Sequence, residues 1–164
     1  MMLGDVAARV VAVLTRAESL FAVPEDAAAA SAAADQLGQA AEANRALGGR
    51  SAELSGAGAA AHRQLVDESA AGVGAAARAD EQLAAHLTAA GARHQRGRTR
   101  AQNLRTDAAA VPDQFAALSG TGAGELAALK NLRAHLAGMQ QLLAEHAGQG
   151  AATAAQIRAV DYRG

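Results

Sequence analysis

From Leu129 onward the apolar residues keep a seven-residue repeat: Leu129, Leu132, Leu136, Met139 and Leu143 near its start, Ile157 and Val160 near its end. Spacings of three and four place these side chains on one narrow helical face. That face is a seam for a partner helix rather than the broad apolar side of a helix lying on a globular core. Midway, the repeat positions hold His146, Gly150 and Thr153, which leaves space where aliphatic side chains would stand. A chain carrying this stripe must fold by pairing helices.

A partner of the same type precedes it. Between Ser51 and Val111 one heptad set reads His62, Ser69, Ala76, Leu83, Ala90, Gly97, Leu104, Val111, and the other reads Val66, Val73, Asp80, Leu87, His94, Ala101, Ala108. A glycine inside a helix costs about 1 kcal/mol relative to alanine, so a break or bend is expected near Ser55 to Gly58 or Gly72 to Gly74. Pro112 is expected to end this helix. The glycine-rich stretch after it reads as a loop, with Ser119 or Thr121 available to cap the final helix and Glu125 in its first turn. So short a connection makes the two helices antiparallel neighbours. Pairing about it opposes Leu104 to Leu129 and His94 to Met139 and, large against small, Leu132 to Ala101 and Leu136 to Gly97. It also opposes Asp80 to Thr153, a polar register pair of the kind that fixes alignment inside an apolar contact.

Toward the N-terminus, Gly4-Asp5 reads as a cap for a helix in which Leu3, Val6, Val10, Val13, Ala17 and Leu20 follow the three-four spacing. Pro24 suits the first turn of a second helix, with Glu25-Asp26 complementing its dipole and Gly48-Gly49 stopping it. The expected helices are therefore about 5–21, 24–47, 59–111 and 121–161, with a hairpin loop at 112–120, in one helical domain. Alanine, the strongest helix former, accounts for 50 of the 164 residues, and aromatics for 2%. Strand-favouring side chains are scarce, so the class is all-α. The expected architecture is an elongated antiparallel helical bundle built on a long C-terminal hairpin.

Composition also narrows function. A formal net charge of −1 provides no field to attract nucleic acid or an anionic membrane. With no cysteine there is no thiolate metal ligand and no Cys nucleophile. The region Met1 to Arg9 lacks the cations of a Sec-type signal, and no apolar run is long enough to span a membrane; export, if any, is expected to follow a leaderless route. No Gly-x-Ser-x-Gly elbow or phosphate-binding loop is present, so no catalytic or cofactor-binding residue is assigned and no enzyme activity is expected. The five histidines, His62, His86, His94, His135 and His146, form no i, i+4 pair and are not read as a metal site, although the expected register brings His86 near His146. The strongest charge feature is Arg93, Arg96, Arg98, Arg100 and Arg105. Guanidinium groups at such spacing suit phosphate, but no aromatic residue lies among them to stack a base, which disfavours nucleic acid. Arg93, Arg96, Arg100, Arg105, His146 and Thr153 are the interaction candidates.

The segment beginning at Pro112, with Thr121 and Gly124 in its loop, Met139-Gln140-Gln141-Leu142-Leu143 in its helix, and Ala152-Thr153-Ala154-Ala155-Gln156-Ile157-Arg158-Ala159-Val160-Asp161-Tyr162-Arg163 at its end, resembles an alanine-rich helical domain of unknown function found in mycobacteria. Arg78-Ala79-Asp80 followed by Leu83 and Leu87 is similar to it as well. The resemblance covers about two thirds of the chain. It implies association with the cell envelope, through type VII secretion or as a helical module beside peptidoglycan endopeptidases of the NlpC type. The expected function is thus a non-enzymatic protein-interaction or regulatory module, secreted or in the envelope. Its partner would be a secretion component or a peptidoglycan hydrolase that it holds inactive. Two alternatives stand beside it: a cytoplasmic nucleic-acid-associated protein using the Arg93 to Arg105 face, and a structural homodimer.

Overall fold

The computed structural model describes residues 2–21, 27–50 and 55–161, and every regular element among them is helical. The helices are α1 (Met2–Glu18), α2 (Ala27–Arg50), α3 (Ala57–Gln114) and α4 (Gly122–Arg158). Short 3-10 turns follow α1 at Ser19–Phe21 and precede α4 at Ala116–Leu118. The fold class is all-α, a helical bundle. Its contacts gather into two compact units, Met1–Pro24 with Gly91–Ala152, and Glu25–Ala90 with Thr153–Gly164.

Among the described residues, the large buried side chains belong to the first unit. Of the stripe expected on α1, Val10 and Ala17 are buried but Val6, Val13 and Leu20 are exposed. The face that packs is Ala7, Val10, Leu14, Ala17 and then Phe21, against Ala101, Ala108 and Val111 of α3 and Ala128, Leu132, Met139 and Leu142 of α4. Leu14 and Phe21 are 0% and 1% exposed, so the N-terminal helix supplies the centre of this core. Partners on α3 run backwards along α1, with Glu18 meeting Arg105 and Phe21 meeting His94. Helices α3 and α4 are antiparallel here, as expected, but in a different register. A Cβ placed on Gly138 would stand 3.2 Å from Leu104 Cδ2, and the His94 and His146 rings lie 5.3 Å apart. Leu104 therefore meets α4 about two and a half turns beyond Leu129. Leu129 itself is 43% exposed. The reason is a third helix: the ring that fills the space over Gly97 is Phe21, not Leu136.

The second unit has a core of methyl groups. Its buried residues are Ala34 and Ala41 of α2, Ala70, Ala75, Ala77 and Ala79 of α3, and Thr153 of α4, the one buried polar residue among those described. Gly74 is buried beside the Arg45 side chain of α2. The Asn44 side-chain amide donates to Ser69 Oγ at 3.3 Å. Asp80, of the expected register pair, is half-buried in this unit.

Several helix limits differ from expectation. The break expected near Ser55 to Gly58 is present, at Gly56 with φ +108 just before α3, whereas α3 runs unbroken through the other expected place, Gly72 and Gly74. Pro112 does not end α3 but lies in its last turn, and Phe115 N–H still reaches Val111 O at 3.2 Å. Proline removes one backbone donor, so Ala108 O receives no bond from position 112, while the next turn is still closed by Phe115. α2 continues through Gly48 and Gly49 to Arg50, α1 begins at Met2 rather than after a Gly4-Asp5 cap, and α4 ends at Arg158. The expected start of the second helix at Pro24, with Glu25-Asp26, lies outside the described residues. At the hairpin, Thr121 caps α4 as expected: its Oγ1 accepts from Gly124 N–H at 3.1 Å while donating to Leu118 O at 2.8 Å. Gly120 takes φ +84, and a Cβ on Gly124 would fall 2.3 Å from Leu118 O, so both turn glycines are structurally required.

Candidate functional site

Helical geometry divides the arginine run into two groups. Arg93, Arg96 and Arg100 recur at i, i+3 and i+7 and share one face of α3 with Gly97, whereas Arg98 and Arg105 project from another. The α4 residues Leu142, Glu145, His146 and Gln149 have the same spacing, and the two quartets face each other across a cleft of about 350 Å³. Gly97 and Leu142 are buried and form its apolar floor. Arg93 and His146 are half-buried, and Arg96, Arg100, Glu145 and Gln149 are exposed.

Electrostatically the cleft is lopsided, with three guanidinium groups to one carboxylate. Arg100 Nη1 stands 3.4 Å from Glu145 Oε2, with the two side chains 53% and 43% exposed. A pair so hydrated is worth roughly 0 to 1 kcal/mol and opens readily. Gln141 also donates to Glu145 Oε1 at 2.8 Å, which holds that carboxylate along α4. Among the described residues Arg96 has no ion-pair partner.

Beside the floor lies a cluster of three rings. Phe21 is 4.7 Å from His146 and 5.8 Å from His94, centroid to centroid. His94 Nε2–H donates to Phe21 O, which fixes the proton on that nitrogen and satisfies a carbonyl at the end of the 3-10 turn. His146 thus sits where the sequence leaves space in the seam, and the end of α1 enters that space. The second arginine group does different work. Arg105 Nε lies 2.8 Å from Glu18 Oε2 and is buried, although its N–H does not aim at that oxygen. With Arg98, Thr15 and Ser19 these residues line a separate cleft of about 260 Å³.

Of the candidates read from sequence, the structure gathers Arg93, Arg96, Arg100 and His146 and separates Arg105 from them. Thr153 belongs to the other unit, as does Asp80. Glu145, Gln149 and Leu142 were not singled out, and their i, i+3, i+7 spacing would have revealed them only once the register of α3 on α4 was known. Among the described residues no three His, Asp or Glu side chains converge as a metal site, and no helix is long and apolar enough to cross a membrane. No protein-family model, curated protein or solved structure matches the chain. No family is assigned to it.

Proposed function

We propose that the chain is a non-enzymatic helical module that acts by binding a protein partner. The observation that carries this reading is on α1 and the 3-10 turn that follows it. Val6, Val13 and Leu20, seven residues apart, are 36%, 57% and 61% exposed, while Val10, Leu14 and Ala17 on the other side of the helix are buried. Single exposed apolar residues are ordinary, but three large ones at heptad spacing repeat the pattern by which a helix offers a seam to another helix. Leu118, Leu126 and Leu129 add exposed aliphatic surface near the α3–α4 turn.

The resemblance noted in the sequence supports a finer version. In it the partner is a component of the mycobacterial cell envelope or secretion apparatus, reached by a leaderless route. A peptidoglycan hydrolase is one such partner, with a helix or the hairpin tip filling its substrate cleft and holding it inactive. Photo-crosslinking from position 13 or 20 in mycobacterial cells tests both levels. The expected product is a crosslink to a secretion component or hydrolase, lost when Val6 and whichever of Val13 and Leu20 does not carry the crosslinker are changed to Ser. A crosslink only to a second copy, with doubled mass in light scattering, supports the structural homodimer instead. No crosslink to any protein removes the reading.

A further inference from the structure

We infer that the cleft between Arg93, Arg96 and Arg100 on α3 and Leu142, Glu145 and His146 on α4 is a docking site for an acidic helical segment of the protein partner. The inference rests on the reading that the module binds a protein, and it names the chemistry of the contact. Four features point to such a ligand. First, the three arginines span about 10 Å along one helix face, the length over which Glu residues at i, i+3 and i+7 of a second helix present their carboxylates. Guanidinium groups bind carboxylates through paired N–H donors, which gives direction as well as charge.

Second, two of the cations, Arg96 and Arg100, are available. Arg96 is exposed and has no ion-pair partner among the described residues, and Arg100 is held only by a hydrated contact of 3.4 Å to Glu145. An incoming carboxylate can share Arg100 without breaking a buried pair. Third, the floor is apolar. Gly97 and Leu142, both buried, line it between the charged side chains. Its position is secured from beneath, because Phe21 packs against Gly97 and leaves no space for the floor to sink.

Fourth, the same cleft is poorly made for nucleic acid. Its one ring, His146, is half-buried and already packed against Phe21 and His94. A chain with net charge −1 adds no long-range attraction for a polyanion. A short acidic helix, which brings few charges and some apolar surface, matches the cleft better.

Fluorescence anisotropy with the full chain tests the inference. The probes are a helical peptide of about 20 residues with Glu at i, i+3 and i+7 among Ala and Leu, the same peptide with Gln for Glu, and a short oligothymidylate. At about 50 mM salt the Glu peptide should bind saturably, and the Gln peptide about tenfold or more weakly. The double variant Arg96→Gln/Arg100→Gln, with unchanged helical circular dichroism, should lose a similar factor. Arg98→Gln, on the other face, should bind like the parent. Three outcomes overturn the inference: no saturable binding of the Glu peptide, tighter binding of the oligothymidylate, or an equal loss in Arg98→Gln. Repeating the crosslinking in the double variant separates this idea from the one it rests on. A partner still captured at full yield overturns the cleft and leaves the protein-binding module intact.

Discussion

Phe21 occupies the space that any side chain at position 97 would need. A Cβ built on Gly97 would stand 2.7 Å from Phe21 Cε1 and 3.1 Å from its Cδ1, and the ring is only 1% exposed. The contact ties the end of α1 to the middle of α3 and sets where α1 lies along it. Gly97 thus contributes more as an absence of side chain than as a backbone of special conformation.

Gly97→Ala should therefore destabilise the protein, by about 1 to 3 kcal/mol, because overpacking against a confined ring outweighs the gain in helix propensity. Gly148→Ala, on a position of α4 with nothing within 4 Å, should stabilise it by about 0.4 to 1 kcal/mol. Urea denaturation of the two variants beside the parent reads both signs.

Neighbouring residues of α1 should behave oppositely on truncation. Leu14 is fully buried, and Leu14→Ala should cost roughly 2 to 5 kcal/mol. Val13 is 57% exposed, and Val13→Ala should change stability by less than about 0.5 kcal/mol. Equal midpoints for the two variants in chemical denaturation would contradict the packing of α1 described above.

His94 satisfies the carbonyl of Phe21, so His94→Ala should leave that oxygen without its partner at a cost of about 1 to 3 kcal/mol. The Phe21 ring loses one of its two imidazole neighbours at the same time. Thermal unfolding should show a lower midpoint in His94→Ala than in His62→Ala, which alters an exposed residue.

At the hairpin, Thr121→Ala should remove about 1 kcal/mol with the N-cap, whereas Thr121→Ser should retain most of it. The pair isolates the hydroxyl from the rest of the turn, and calorimetry resolves a difference of that size.

Hydrogen exchange should distinguish the two units. Buried Leu, Met, Phe and Val side chains hold the unit formed with Gly91–Ala152, while alanines dominate the buried residues of the other. Methyl groups bury little area each, so amides at 30–48 and 59–88 should open at lower free energy. Mass-spectrometric exchange is expected to show them at least about tenfold less protected than amides at 98–111 and 128–146.

Much of the architecture was legible from the residues. Fifty alanines and few strand formers dictated helices, and Thr121 with its glycines marked the hairpin turn. The three-four spacing of α1, however, showed only that the helix is amphipathic: Val6, Val13 and Leu20 of the expected stripe are exposed, and Leu14 and Phe21 are buried instead. Such signals are local, arising from propensity, capping and the period of one helix. The alignment of one helix on another was a different matter. A heptad repeat resembles itself after every seven residues, so it specifies a face but not an axial position, and a seam of alanine and glycine offers few shapes to tell one register from the next. Only the folded core decided it, when Phe21 of α1 took the space over Gly97 and set Leu104 against Gly138. The same step assembled the cleft. Arg93, Arg96 and Arg100 were visible as charges from the start, but their position opposite Glu145, His146 and Gln149 follows from the register that tertiary packing chose.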